Sequence, residues 1–169
     1  MNYCHIYRSD IANGPGWRCS LFCCGCMRNC KGCFNKDAQN PNYGTLFDDK
    51  SKEKIFSELS NPTCSGLSLL GGEPMSKLSD NRIQMIQLCK ECKEKFPHKN
   101  IWMWSGYSYE ELSNDETTKD ILKYIDVLVD GPFIVEKKDL SCPWRGSTNQ
   151  RVIDVKSTLA KGKVIEMQF

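Results

Sequence analysis

The chain has no apolar run approaching the roughly 20 residues that a membrane-spanning helix needs. Its opening, "MNYCHIYRSDIANGPG", lacks the apolar core of a secretory signal, so the expected location is the cytoplasm. It also lacks a surplus of charge: 23 basic and 21 acidic residues leave a formal +2. These charges are mixed along the chain, without the concentrated positive field of a nucleic-acid binder, and neither nucleic acid nor membrane is the expected partner. "KSKEK" (50–54) and "KECKEK" (90–95) alternate in sign, as solvated helix faces do. Histidine is scarce, and His5 and His98 fit no ligand spacing. No internal repeat, low-complexity tract or Pro/Gly/Ser-rich linker divides the sequence, so residues 1–169 are expected to form a single domain.

What the chain does have is cysteine. There are 11, an odd number, and five fall within 23–33. A disulfide framework belongs to short secreted chains; in a reducing compartment such a crowd reads as metal ligation. Elsewhere the composition is that of a globular protein, 40% hydrophobic and 26% charged, with mean hydropathy −0.50.

Short apolar runs alternate with helical patterns. Strands are expected near 17–23 ("WRCSLFC"), 67–70 ("LSLL"), 101–104 ("IWMW"), 125–129 ("IDVLV") and 151–155 ("RVIDV"), with a further one at 163–167 ("KVIEM"), and helices at about 51–59, 79–96 and 117–124. In the helix at 79–96, Met85, Cys89, Cys92 and Phe96 share one apolar stripe, Ser79 is placed to cap it and Pro97 ends it. "CKEC" (89–92) therefore reads as core thiols rather than a redox or zinc motif. Trp17, Trp102 and Trp104 read as core packing. The βαβα order favours an α/β fold with a parallel sheet or part of a barrel. In such folds the loops after the strands gather on one ligand-binding face. Here those loops are the cysteine loop, "GGEP" (71–74), "SGY" (105–107) and "DGPF" (130–133).

Cys26, Cys30 and Cys33 are close enough to curl round one iron–sulfur cluster, with Gly25 and Gly32 supplying backbone freedom. Two other arrangements are open. Cys23/Cys26 and Cys30/Cys33 form two CxxC pairs, a cramped version of a zinc ribbon. Cys23 could also complete a four-cysteine, ferredoxin-type electron carrier, although the spacing departs from the bacterial ferredoxin run. Cys23 and Cys24 end an apolar strand and are assigned to packing. Three thiolates on a four-iron cube would leave one iron open for chemistry.

The CxxxCxxC spacing at 26–33 followed by "LSLLGGEP" resembles the radical S-adenosylmethionine enzymes. More narrowly, the sequence is similar to the activating enzymes of anaerobic (class III) ribonucleoside-triphosphate reductases. The similarity runs through "GPGWRCSLFCCGCMRNCKGCFN" (14–35), "LLGGEP" (69–74), "IWMWSGY" (101–107), "VLVDGPF" (127–133) and "RGSTNQRVIDV" (145–155). Gly32 stands where the wider superfamily often has an aromatic residue, and the narrower family commonly has Gly there.

The resemblance implies a shortened, incomplete (βα) barrel of the radical SAM type, mostly of parallel strands. A complete barrel takes about 250 residues, and the missing wall would admit a protein substrate. It implies a [4Fe-4S] cluster on Cys26, Cys30 and Cys33, and S-adenosyl-L-methionine as cofactor. The cofactor would be bordered by Gly32, Cys33, Phe34, Gly71, Gly72, Glu73, Pro74, Ser105, Tyr107 and Asp130; Glu73 would either meet its ammonium or shape the turn, and Asp130 reads equally as a satisfied strand-end carboxylate. No catalytic side chain is implied beyond cluster and cofactor. The partner would be the reductase, on which a glycyl radical is generated, with a reduced flavodoxin- or ferredoxin-type protein as electron donor. "RGSTNQR" (145–151), polar and just before a strand, reads either as a surface loop with a strand anchor or, through the planar forks of Arg145 and Arg151, as a contact to the cofactor carboxylate or the reductase. A small radical enzyme acting on a free metabolite is the nearest alternative activity.

Overall fold

The computed structural model describes residues 1–78 and 80–169. Its strands are β1 (Asn2–Asp10), β2 (Trp17–Cys23), β3 (Thr45–Leu46), β4 (Cys64–Gly71), β5 (Asn100–Trp104), β6 (Val127–Asp130) and β7 (Arg151–Asp154). Its α-helices are α1 (Asp49–Leu59), α2 (Asn81–Lys95), α3 (Tyr109–Asn114) and α4 (Val155–Lys161). One sheet of seven strands results, in the order β3-β1-β2-β4-β5-β6-β7. The middle four strands, β2, β4, β5 and β6, run parallel, whereas β1, β3 and β7 pair antiparallel. The fold is α/β with a mixed sheet, and the expectation of mostly parallel strands holds for its middle only. At the β1–β2 edge the cause is connection length: residues 11–16 are too few for a crossover, which takes a dozen or more.

Three sequence expectations need correction. The helix expected at 117–124 is a 3-10 turn, Lys119–Lys123. Residues 163–167 form no strand of their own, only an isolated bridge between Ile153 and Glu166. Trp17, at the first position of β2, is 59% exposed, whereas Trp102 is buried and Trp104 half-buried, its Nε1–H donating to Trp144 O at 2.7 Å. Ser79, the expected cap of α2, lies outside the described residues. The stripe itself is as expected, with Met85, Cys89 and Cys92 buried and Phe96 packed against the same core.

Period-two alternation divides each middle strand between two faces. Cys19, Leu21, Leu67, Leu69, Ile101, Met103 and Leu128 join Ile55, Leu59, Met85 and Leu88 of the helices in the main core. Trp102, Val127, Val129 and Val152 form a second cluster, covered by Trp104, Trp144 and Met167. Arg18 is fully buried beside this second face, its guanidinium 5.6 Å from the Trp102 ring centroid. Nε donates to Ser68 Oγ at 2.7 Å, Nη1 to Asn100 Oδ1 at 2.7 Å and to Pro15 O at 3.4 Å, and Nη2 to Leu67 O at 2.8 Å. One side chain thus ties β2 to β4, to β5 and to the loop that precedes it.

Arg18→Met keeps the stem but leaves these acceptors unpaired in a buried place. It is expected to lower unfolding free energy by about 3 kcal/mol, read as a lower urea midpoint at unchanged slope.

Candidate functional site

The parallel middle strands bring the ends of β2, β4, β5 and β6 to one side of the sheet. β2 finishes at Cys23 and the chain turns at Gly25, whose φ is 94°. There Gly25 N donates to Ala38 O at 2.7 Å and Cys26 N to Gln39 O at 3.1 Å, which pins the base of the cysteine loop to the 3-10 turn Asp37–Gln39. A second turn follows, with Gly32 at φ 73° and Cys33 N donating to Cys30 O at 3.1 Å.

Cys26, Cys30 and Cys33 are half-buried on this loop, while Cys23 and Cys24 are completely buried. Cys23 belongs to the main core, and burial pushes its thiol well above the ordinary value. Burial also pushes the Cys26 thiol up, opposed by the Arg28 N–H, which donates to Cys26 Sγ at 3.4 Å; the nearby Cys30 and Cys33 raise it further. Among the described residues no three Cys, His, Asp or Glu side chains converge as a single metal ion requires. A closed zinc site would need four such ligands, and Cys23 is turned into the core. Three soft thiols share one wrapped loop, with a backbone N–H aimed at a sulfur, and thiols are the residue type from which proteins hold iron–sulfur clusters.

The "GGEP" turn lies against the root of this loop. Gly71 has φ 113°, and a Cβ there would fall 2.5 Å from Cys23 O. A Cβ on Gly72 would fall 2.6 Å from Ala38 O and 2.9 Å from Gly25 O. Only glycine allows this approach. Gly72 N donates to Cys23 O at 2.7 Å and Glu73 N to Gly25 O at 3.0 Å. Asn81 Nδ2, at the start of α2, donates to Cys24 O at 2.8 Å and to Glu73 O at 3.1 Å, clamping both segments.

Glu73 is buried, and both its carboxylate oxygens are engaged. Oε1 accepts from Met75 N at 3.0 Å and Ser105 Oγ at 2.8 Å, and Oε2 from Gly106 N at 2.7 Å. Burial raises its pKa, and these hydrogen bonds and Arg28 oppose the rise. Glu73 and Ser105 therefore brace the ends of β4 and β5 together. Pro74 is buried in the same turn. Asp130 is likewise enclosed, accepting from Tyr109 N at 2.7 Å and from Arg151 Nε at 3.0 Å. Arg151 also reaches Glu110 at 2.7 Å, so Asp130 and Arg151 join β6, β7 and α3. Gly32 faces Val135 and Phe133 closely, which places the segment after β6 against the cysteine loop. Phe34 projects outward, 88% exposed.

Tyr107 is half-buried beneath a residue that sequence reasoning passed over. The Arg28 guanidinium lies 4.0 Å from the Tyr107 ring centroid and pairs with Glu111 at 3.2 Å. Its Nε is buried without a partner among the described residues. The available signal was a basic residue inside the CxxxC interval. Asn81 was missed too, with no pattern to mark it. Arg145 donates through Nη1 to Gln150 O at 3.0 Å.

Residues 12–153 match the family model described as a 4Fe-4S single cluster domain. The chain is 43% identical over 152 residues to a Vibrio cholerae protein, covering 89% of this chain and 96% of that one. Its identity to an Enterobacteria phage T4 protein is 40% over 154 residues, 90% of this chain and 93% of the relative. To an Escherichia coli K12 protein it is 39% over 154 residues, with 90% and 97% covered. All three relatives are named anaerobic ribonucleoside-triphosphate reductase-activating protein.

Gly72→Ala should push the turn off the cysteine loop and lower unfolding free energy by about 3 kcal/mol or more, visible in thermal melts of the cluster-free chain. Glu73→Gln places an amide N–H₂ against donors and should cost about 2 kcal/mol. Because the folded-state pKa of Glu73 is raised from 4.5, its linkage contribution to stability is fully present below 4.5 and is lost as pH rises through the raised value. Urea titrations at several pH values should show that slope in the wild type and its loss in Glu73→Gln.

Proposed function

The chain belongs to the 4Fe-4S single cluster domain family and is related over most of its length to anaerobic ribonucleoside-triphosphate reductase-activating proteins, and on that premise we infer that it is such an activating enzyme, a radical SAM oxidoreductase. Bound to this chain, a [4Fe-4S] cluster would supply the electron for reductive cleavage of S-adenosylmethionine, the chemistry by which a glycyl radical would be generated on the reductase.

The observation that carries this reading is the separation of the cysteines into two sets. Cys26, Cys30 and Cys33 share the loop, while Cys23 is locked into the core, so three thiols are offered and a fourth is withheld. Those three would hold the cluster and leave one iron open to the cofactor. The flattened turn Gly71–Pro74 would receive the cofactor's amino-acid end through backbone groups. Glu73 holds that turn in shape instead of meeting the ammonium itself, since its oxygens are already engaged. Tyr107, Gly32 and Phe34 would border the rest of the cofactor, and Asp130 and Ser105 would support that wall from behind. Burial of the turn and its neighbours excludes water from the reacting end.

We read the sheet as the wall of a shortened, incomplete radical SAM barrel formed by one domain, 1–169. Two features support this. The parallel strands follow one another in sequence order without reversal, so right-handed crossovers keep the intervening helices on one face. The antiparallel edges would leave the wall open toward a protein substrate. A reduced flavodoxin- or ferredoxin-type protein would donate the electron, reaching the loop across the exposed Met27 and Phe34. The cytoplasm is the location that suits such chemistry, and no described helix is long and apolar enough to cross a membrane.

Anaerobic reconstitution with iron and sulfide, followed by low-temperature electron paramagnetic resonance, tests the reading. The reduced-cluster signal should shift when S-adenosylmethionine is added. It should survive Cys23→Ala and disappear in Cys26→Ala, Cys30→Ala or Cys33→Ala. With reductase present, the wild type should yield a protein-based glycyl radical. A cluster that ignores the cofactor and is lost with Cys23 would make the chain an electron carrier instead.

A further inference from the structure

Outside the three loop thiols, two other cysteines meet. Cys4 Sγ and Cys24 Sγ are 2.9 Å apart, closer than two unbonded sulfurs ordinarily rest. The contact arises from an irregularity in the β1–β2 ladder. Tyr3 pairs with Cys23, but the next pair is His5 with Phe22, leaving Cys4 as one extra residue on β1. Such a bulge re-aims its side chain, and here the side chain turns onto Cys24. The partner's backbone is fixed on both sides: Cys24 N donates to Asn2 O at 2.9 Å, and Cys24 O accepts from Asn81 Nδ2 at 2.8 Å. Cys4 is half-buried and Cys24 fully buried, so an oxidant reaches the pair from the Cys4 side. Among the described residues no third metal-capable side chain joins them, which leaves thiol–disulfide chemistry as what two sulfurs so placed can do.

We propose that Cys4 and Cys24 are an oxidation-sensitive dithiol that closes to a disulfide on exposure to peroxide. The Cys4 sulfur, as thiolate, attacks one peroxide oxygen, giving a sulfenic acid and releasing hydroxide, which takes up a proton to become water. The Cys24 sulfur, losing its proton, then displaces the sulfenic oxygen as a second water. Two thiols and one hydrogen peroxide give one disulfide and two waters; the sulfurs lose two electrons and the peroxide gains them. The bond fastens Cys24, the residue from which the cysteine loop departs, to β1. The root of that loop is then held covalently whether or not the loop carries iron, and thiol reductants release it. The inference rests on the β1–β2 geometry and stands independently of the radical chemistry.

The test treats the full-length wild type and a Cys26→Ser/Cys30→Ser/Cys33→Ser variant with hydrogen peroxide, blocks free thiols by alkylation, and maps cross-links by mass spectrometry with and without prior reduction. Peptide 1–8 carries Cys4 alone, whereas 19–28 carries Cys24 with Cys19, Cys23 and Cys26, so fragmentation of the cross-linked pair identifies the partner. The expected result is a reducible Cys4–Cys24 cross-link in both proteins. In the triple variant, oxidation should raise the melting temperature by about 5 °C or more, and Cys4→Ser in that background should abolish both cross-link and shift. Recovery of Cys4 and Cys24 separately alkylated, under peroxide that oxidises other thiols, would overturn the proposal, as would pairing of either residue with a different cysteine. The triple variant cannot build the proposed cluster, so its outcome does not depend on whether the activating function is correct.

Discussion

Main chain presses on main chain where β2 and β4 end, and the rest of the site is arranged around that contact. Gly71 and Gly72 bring their backbone within reach of Cys23 and Gly25, and the N–H groups of Gly72 and Glu73 donate to Cys23 O and Gly25 O. An added methyl group at either glycine would part them. The contact fixes where the cysteine loop begins relative to the turn that follows the neighbouring strand. The 3-10 turn Asp37–Gln39 and Asn81 at the head of α2 then lock the pair from two more directions.

A second layer of order comes from carboxylates at the strand ends. Glu73 collects donors from its own turn and from the loop after β5, while Asp130 collects them from the start of α3 and from β7. At the opposite end of the sheet, Asp126 accepts from Ile101 N at 2.7 Å and pairs with Lys93 and Lys156. Each acid is enclosed and saturated, as a buried charge must be to remain in place. Acidic side chains near the site thus serve as joints between successive strands, and the thiols are left as its open donors.

The parts of this architecture that sequence reading captured are those encoded by local pattern. The middle strands are short β-rich apolar runs, the α2 stripe is periodic, and the cysteine and "GGEP" motifs sit at their ends. β1 was missed because only Tyr3 of its nine residues is buried, which leaves no alternation to detect. α3 was legible in principle, since Ser108 and Glu111 form a complete capping box, but its six residues carry too little periodicity to stand out. The roles of Arg28 and Asn81 depend on partners distant in sequence, Glu111 at 83 positions and Cys24 at 57. No window along the chain contains such information. The same holds for Trp17, whose apolar neighbours suggested a core place that its position at the start of β2 denies it.

The outer margin of β1 has a different significance. β3 pairs only with Asn2 and Tyr3, so among the described residues no strand lies beside the rest of this border. That margin is interrupted by the extra residue at Cys4 and again between Tyr7 and Asp10, and it carries the exposed Arg8. A broken, charged border is a poor template for another chain to extend. Growth of the sheet from molecule to molecule along this border is thereby discouraged.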